Sequence, residues 1–322
     1  MPTVKYHDNL ISVNEEESIL SALLREGHSI PHSCKSGVCQ TCMMQVQSGL
    51  IPLKATEGMG LHLIEQRYFL PCVCKPTENL AVCDVGAGLQ AVAVVRELAY
   101  LSDSVLRIRL LPTTDFAFRP GQFVSVIRAD GVSRSYSIAS LPDDGFIELH
   151  VRILENGVMS QWMATELCVG DSLKLKGAFG NCFYSPIEPS APIVLAATGT
   201  GLAPILGVMR DALANHHSGE IILIHGACNA GGLYLNQYLQ ALGKAHQNLS
   251  IRQLISEAES TGSGVSTGSI KAHTLEVCRN LHAHRVYLCG NPNFVQETSF
   301  ELFIEGLSPT HIFSDAFLPS AT

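Results

Sequence analysis

No run of this 322-residue chain approaches the roughly twenty consecutive apolar residues that a membrane helix needs, so no membrane span is expected. Charge is scarce at 16%, and the 21 Lys and Arg are interspersed with 29 Asp and Glu rather than gathered on one stretch. That pattern excludes the clustered basic surface of a nucleic-acid binder. The start, MPTVKYHDNLISV, lacks the basic start and apolar run of a secretory signal. A cytoplasmic, reducing setting is therefore expected, where cysteines serve as thiols or metal ligands. Also missing are G-x-S-x-G, H-E-x-x-H and a convincing triad among the 13 histidines, so hydrolysis has no candidate machinery. What the chain does have is 46% hydrophobic residues, enough for two or three domain cores, and eleven cysteines, six of them in its first 83 residues.

Three of those six, Cys34, Cys39 and Cys42, form C-x4-C-x2-C in PHSCKSGVCQTCMMQVQSG. Cys39 and Cys42 alone would equally suit a zinc knuckle or a thiol redox pair. The added Cys34, and the lack of a second matching pair of ligands, turn the reading toward a 2Fe-2S cluster held by four thiolates. Both Cys72 and Cys74 are available as the fourth. The small residues Ser33, Ser36 and Gly37 suit a loop that aims backbone N–H groups at sulfur. His32 invites comparison with Rieske sites, which need a second histidine that nothing here supplies, so it is read as a loop residue. Cys74 and Cys83 are read as structural.

SILSALLREG places Ile19, Leu20, Leu23 and Leu24 on one helical face with Gly27 at its end, and short β-like runs (TVKY, LISV, MMQVQSG) flank it. A glycine-bearing linker, DVGAGLQ, follows. Closely spaced β runs (AVAVVREL, VLRIRLL, GQFVSVIR, SRSYSIAS, FIELHVRIL) then suggest an antiparallel barrel. From about residue 188, strands and helices alternate as in a doubly wound parallel sheet, the first strand ending in ATGTGLAP. The Ser/Thr/Gly run ESTGSGVSTGS is expected to be a mobile loop.

Together these motifs resemble a known plan. The cysteine spacing is similar to that of plant-type ferredoxin domains, which implies Cys72 as the fourth ligand, with 29 residues between it and Cys42. The resemblance departs at Gln40, where such ferredoxins usually carry glycine. RSYS matches the flavin signature of the ferredoxin-NADP reductase superfamily, preceded by FRPGQF and followed by GVMS. It implies Arg134 on the flavin pyrophosphate, Ser135 and Tyr136 along the flavin, Ser137 near the flavin N5, and Gly157, Val158, Met159 and Ser160 cradling phosphate. The turn of Gly199, Thr200 and Gly201 with CGNP (Cys289, Gly290, Asn291, Pro292) resembles the nicotinamide half of these reductases, with Thr198 where relatives often have glycine. Phe317 occupies the place of the aromatic that covers the flavin until nicotinamide displaces it; a core Phe on the last strand is the alternative.

The order resembles the NADH-dependent reductase components of bacterial aromatic-ring dioxygenases and multicomponent monooxygenases. It implies an α+β and α/β multidomain chain: a β-grasp ferredoxin domain at 1–88, an antiparallel β-barrel FAD domain at 89–187 and a doubly wound NAD domain at 188–322. Relatives with the ferredoxin last use FMN, so this order implies FAD. Because NADH delivers two electrons together and a 2Fe-2S cluster accepts one, a flavin must stand between them. Ser137, Cys289 and Phe317 are the residues expected at the reacting end. The expected partner is a terminal oxygenase, Rieske or di-iron, or an intermediary ferredoxin, served by a monomer. A reductase for a deoxysugar-nucleotide dehydratase shares the plan, and a redox-sensing module is the non-catalytic alternative.

Overall fold

A computed structural model describes residues 1–256, 265–281 and 285–318. Three sheets follow one another along the chain, each with its own core.

The first is mixed. Strands β1 (Thr3–Tyr6), β2 (Asn9–Ser12), β3 (Met44–Ser48), β4 (Tyr68–Phe69) and β5 (Leu80–Asp84) lie in the order β2-β1-β5-β3-β4, and β1 runs parallel to β5. Helix α1 (Ile19–Arg25) is N-capped by Ser18, whose hydroxyl accepts from the Ser21 N–H. It ends at Gly27, whose φ of 83° suits glycine. Its face of Ile19, Leu20, Ala22 and Leu23 is buried against Val4, Ile11, Phe69 and Val82. The short helix α2 (Leu61–Glu65) precedes β4. This is the β-grasp arrangement.

The second sheet is antiparallel and closed. Strands β6 (Gln90–Ser102), β7 (Val105–Pro112), β8 (Phe123–Ile127), β9 (Ser133–Ser137), β10 (Ile147–Arg152) and β11 (Ser172–Phe179) take the order β10-β7-β6-β11-β8-β9. A bridge between Ile138 and Leu149 joins the two ends into a barrel. Helix α3 (Val158–Thr165) adds Met159 and Met163 to the barrel core. Strand β11 is not among the β runs singled out from the sequence, although Leu173 and Leu175 alternate with Ser172, Lys174 and Lys176 in the pattern of a half-buried strand.

The third sheet is entirely parallel, β15-β14-β13-β12-β16-β17: β12 (Ile193–Thr198), β13 (Ile221–Ala227), β14 (Leu249–Ile255), β15 (Val265–Thr267), β16 (Arg285–Gly290) and β17 (Ile312–Ala316). On β12, Ile193, Leu195 and Ala197 pack under α4 (Leu202–Ala214) and α5 (Asn236–Ala245), whereas Val194 and Ala196 pack under α6 (Ile270–Leu281) and α7 (Pro292–Ile304). Apolar residues at both parities are what a sheet covered on two faces requires. Part of the expected mobile loop is thereby corrected: Val265–Thr267 form an edge strand on β14, while residues 257–264 lie outside the described residues.

Candidate functional site

The C-terminal ends of β12, β13 and β16 open toward the barrel mouth, and a cavity of about 1140 Å³ lies between them. Its wall takes Ser33, Cys34, Val38 and Cys39 from the first unit and Arg134, Ser135, Tyr136 and Ser137 from β9. Gly157, Val158, Met159 and Ser160 line it at the start of α3, and Thr198, Gly199, Thr200, Gly290, Asn291, Pro292 and Phe317 from the third unit.

At the start of α3 the backbone leaves N–H groups facing the cavity, a ready site for phosphate. Ser160 braces that turn: its hydroxyl accepts from the Leu154 N–H (3.1 Å) and donates to the Gly157 carbonyl (3.3 Å). A Cβ on Gly157 would fall 2.3 Å from the Ser160 Oγ. Arg134 lines the same end, anchored through one nitrogen to the Ser133 carbonyl (2.7 Å), and can fork onto a pyrophosphate with the rest.

In the third unit the two turns interlock. Thr198 Oγ1 accepts from the Asn291 N–H at 2.7 Å, and a Cβ on Gly201 would meet the Cys289 carbonyl oxygen at 2.4 Å. Gly201 therefore serves close approach and does not itself line the cavity. His225 supports Gly199 from beneath, its Nε2 donating to the Gly199 carbonyl at 3.1 Å. Burial pulls this histidine down to about 4, so it stays neutral at physiological pH. Cys289 is fully buried behind the turn, its sulfur 3.5 Å from that of Cys182 and outside the cavity lining.

Asp315, on β17, was not among the residues that the sequence singles out. Its carboxylate accepts from the Ser137 hydroxyl at 2.7 Å across the cavity wall. Desolvation raises its pKa to about 6 against the lowering effect of Ser137. Two residues on, Phe317 leaves the strand with its N–H on the Gly290 carbonyl (2.8 Å) and its side chain on the cavity wall.

The cysteines form two pairs. Backbone N–H groups of Cys39 and Ser36 point at the Cys34 sulfur (3.4 Å each), that of Cys34 at the Cys39 sulfur (3.5 Å), and that of Gly37 at Cys72. Hydrogen bonds from Cys39 hold Cys34 well below the usual thiol value, and from Cys42 hold Cys72 below it, while Cys39 and Cys42 are pushed up. Among the described residues no three His, Cys, Asp or Glu converge as one metal ion would need. Two pairs of thiols ringed by N–H donors fit a cluster of two irons better than a single zinc. Cys74 is fully buried in the β-grasp core, where desolvation raises it to about 12. Gln40 has a φ of 54°, so the chain keeps at this position the left-handed backbone that glycine would take without strain.

A mixed ferredoxin sheet, a closed barrel and a parallel nucleotide sheet around one cavity define a flavin- and nicotinamide-dependent electron-transfer enzyme. Residues 5–77 match the 2Fe-2S iron-sulfur cluster binding domain, 93–184 the oxidoreductase FAD-binding domain and 195–299 the oxidoreductase NAD-binding domain. Over 95% of both chains the protein is 30% identical to the reductase subunit of an aromatic O-demethylase from an Amycolatopsis species. Over 98% of both it is 28% identical to the ferredoxin–NAD(P)+ reductase component of the naphthalene 1,2-dioxygenase system of Pseudomonas putida. Over 98% of both it is 29% identical to a CDP-6-deoxy-L-threo-D-glycero-4-hexulose-3-dehydrase reductase of Yersinia pestis. An Amycolatopsis cytochrome P450 reductase superposes with a TM-score of 0.70 at 26% identity, covering 99% of each chain. The chain belongs to this family of iron-sulfur flavoprotein reductases, which carry a 2Fe-2S domain, an FAD domain and an NAD domain on one polypeptide.

Proposed function

We propose that the protein oxidises NADH and passes the electrons singly, by way of FAD and a 2Fe-2S cluster on Cys34, Cys39, Cys42 and Cys72, to a separate acceptor protein, a Rieske or di-iron oxygenase component. The carrying observation is that the cluster loop, the flavin signature on β9 and the nicotinamide turns all line one cavity. The units are taken as 1–88, 89–187 and 188–322. The protein acts as a monomer, and a reducing cytoplasm is the setting in which its eleven cysteines, none paired in a disulfide, serve as thiols or cluster ligands.

When bound, FAD supplies two-electron exchange with nicotinamide and one-electron exchange with the cluster. The chain's own residues bind and orient. Arg134 and the first turn of α3 hold pyrophosphate, and Asp315 fixes the direction of the Ser137 hydroxyl beside the expected reacting edge. His225 holds the Gly199 turn open to dinucleotide, and Phe317 closes the cavity to water. The relatives named above serve a dioxygenase, an O-demethylase and a dehydrase, so the same plan accommodates different acceptors.

Disrupting the cluster loop, as in Cys39→Ser, tests the order of transfer. NADH-dependent ferricyanide reduction, which needs only flavin and nicotinamide, should persist, while cytochrome c reduction collapses. Parallel loss of both in a variant that keeps its flavin would refute the order.

A further inference from the structure

The outward face of β11 alternates Ser172, Lys174 and Lys176, and the first two are exposed. Lys176 is buried, with 6% of its surface accessible, because the cluster loop of the first unit covers it. Its ammonium donates to the carbonyls of Thr41 (2.8 Å) and Met43 (2.7 Å), the residues on either side of Cys42. Lys176 heads a polar row across three adjacent strands, paired in register with Ser125 on β8, which pairs with Ser135 on β9. Ser125 meets the Thr41 hydroxyl at 2.9 Å, and the Ser135 hydroxyl reaches the Cys39 carbonyl at 3.5 Å.

Docking alone explains the serines better than it explains the lysine. An ammonium removed from water carries a desolvation cost of several kcal/mol that two carbonyls offset only in part. Among the described residues Lys176 has no carboxylate within ion-pair distance. Burial pulls its ammonium down to about 8, while Cys42, Asp84 and Cys39 act in the opposite sense. A cluster held by four thiolates is an anion that becomes more negative with each electron accepted, and nearby charge is one of the levers on its potential.

We propose that Lys176, a flavin-domain residue, is a positioning residue that acts as the buried counter-cation of the cluster and raises its reduction potential while seating the loop against the barrel. The proposal rests on the reading that the four named cysteines hold the cluster. A buried unit charge beside the cluster loop, at an effective dielectric of about 20, is expected to change a one-electron equilibrium by roughly tenfold.

The test is a redox titration of the intact, cluster-loaded protein, followed by the paramagnetic signal of the reduced cluster, together with iron analysis. In Lys176→Met and Lys176→Gln, the ratio of reduced to oxidised cluster at fixed ambient potential should fall about tenfold, equivalent to ~59 mV for one electron. Lys176→Gln retains N–H donors for the carbonyls but lacks charge, so it should follow Met, and Lys176→Arg should recover most of the potential. Loss of iron in Met and Gln with retention in Arg would also support the charge requirement. Unmoved potentials in the neutral variants, an Arg variant no different from Met, or loss of iron in all three would overturn the proposal. Wild-type protein without iron would remove the ligand reading and this proposal together, whereas wild-type iron with unmoved potentials removes this proposal alone.

Discussion

Replacing Asp315 with Asn should stabilise the protein, and the gain should depend on pH in a defined sense. The Asp315 carboxyl ionises near 6 in the folded chain instead of near 3.8, so holding it charged in the fold costs up to ~3 kcal/mol. Because the carboxylate opens partly onto the cavity, solvent screens some of that cost, and a net effect of about 1–2 kcal/mol is expected. The sign follows from the raised folded value. Above about pH 6 both folded and unfolded states carry the charge, and the whole penalty is present. As the pH falls through 6 the folded form takes up a proton first, and below about 4 the penalty has gone. The substituted amide never ionises, and its oxygen can still accept from Ser137. Asp315→Asn should therefore exceed the wild type by about 1–2 kcal/mol at pH 8, and the two should converge between pH 6 and 4. Thermal melts of the FAD-loaded protein across that range, read by circular dichroism and flavin fluorescence, measure it. A variant no more stable at pH 8, or a difference that does not shrink on acidification, would refute the reasoning. A stabilised variant with slower NADH oxidation would mark a residue kept for reaction at the expense of stability.

Cys72→Ser should lose the iron and labile sulfide, about two of each per chain, whereas Cys74→Ser keeps them; the reverse result in iron analysis would exchange the ligands. NADPH should fall below NADH by ~10 to 100-fold in kcat/KM, because no Lys or Arg lies between Ile221 and Gln237 to meet a 2'-phosphate. Arg285 is held at the far end of its strand by the carbonyls of Ser185 and Glu188, and Arg252 pairs with His273. Neither lines the cavity, so Cys228→Arg, at the cavity edge, should narrow the gap in steady-state rates. Arg134→Ala should weaken FAD retention by ~10 to 100-fold in Kd, measured on the apoprotein by flavin fluorescence, and unchanged binding would show that the start of α3 suffices.

What the sequence made legible is what lies close together along it. The cysteine loop, RSYS with its flanking FRPGQF and GVMS, and the glycine turn after β12 each act within a few residues, so their chemistry is written in order. The alternation of strands and helices likewise foretold the parallel sheet, and β12 reads as a continuous apolar run because it is buried on both faces. Features made by distant partners were not legible. Asp315 finds Ser137 across 178 positions, His225 supports a carbonyl 26 positions earlier, and Cys182 meets Cys289 across 107. Strand β11 escaped although its Leu/Lys alternation is that of a half-buried strand; what the sequence does not show is that the cluster loop covers Lys176 on its outward face. Strand β15 escaped because three residues in a Ser/Thr/Gly run, paired on one side, leave almost no pattern.

The cavity wall joins residues 33–39 to residues 315–318, nearly the two ends of the chain. During synthesis, the cysteine loop and the barrel therefore emerge long before Asp315 and Phe317 can complete the cavity wall. A chain that stops before β17 keeps the Gly199 and Gly290 turns but lacks the Asp315 and Phe317 side of the cavity wall. Completing β17 is thus the step that closes the cavity wall, and a fragment that ends before it should retain the cluster loop and the barrel with that wall open.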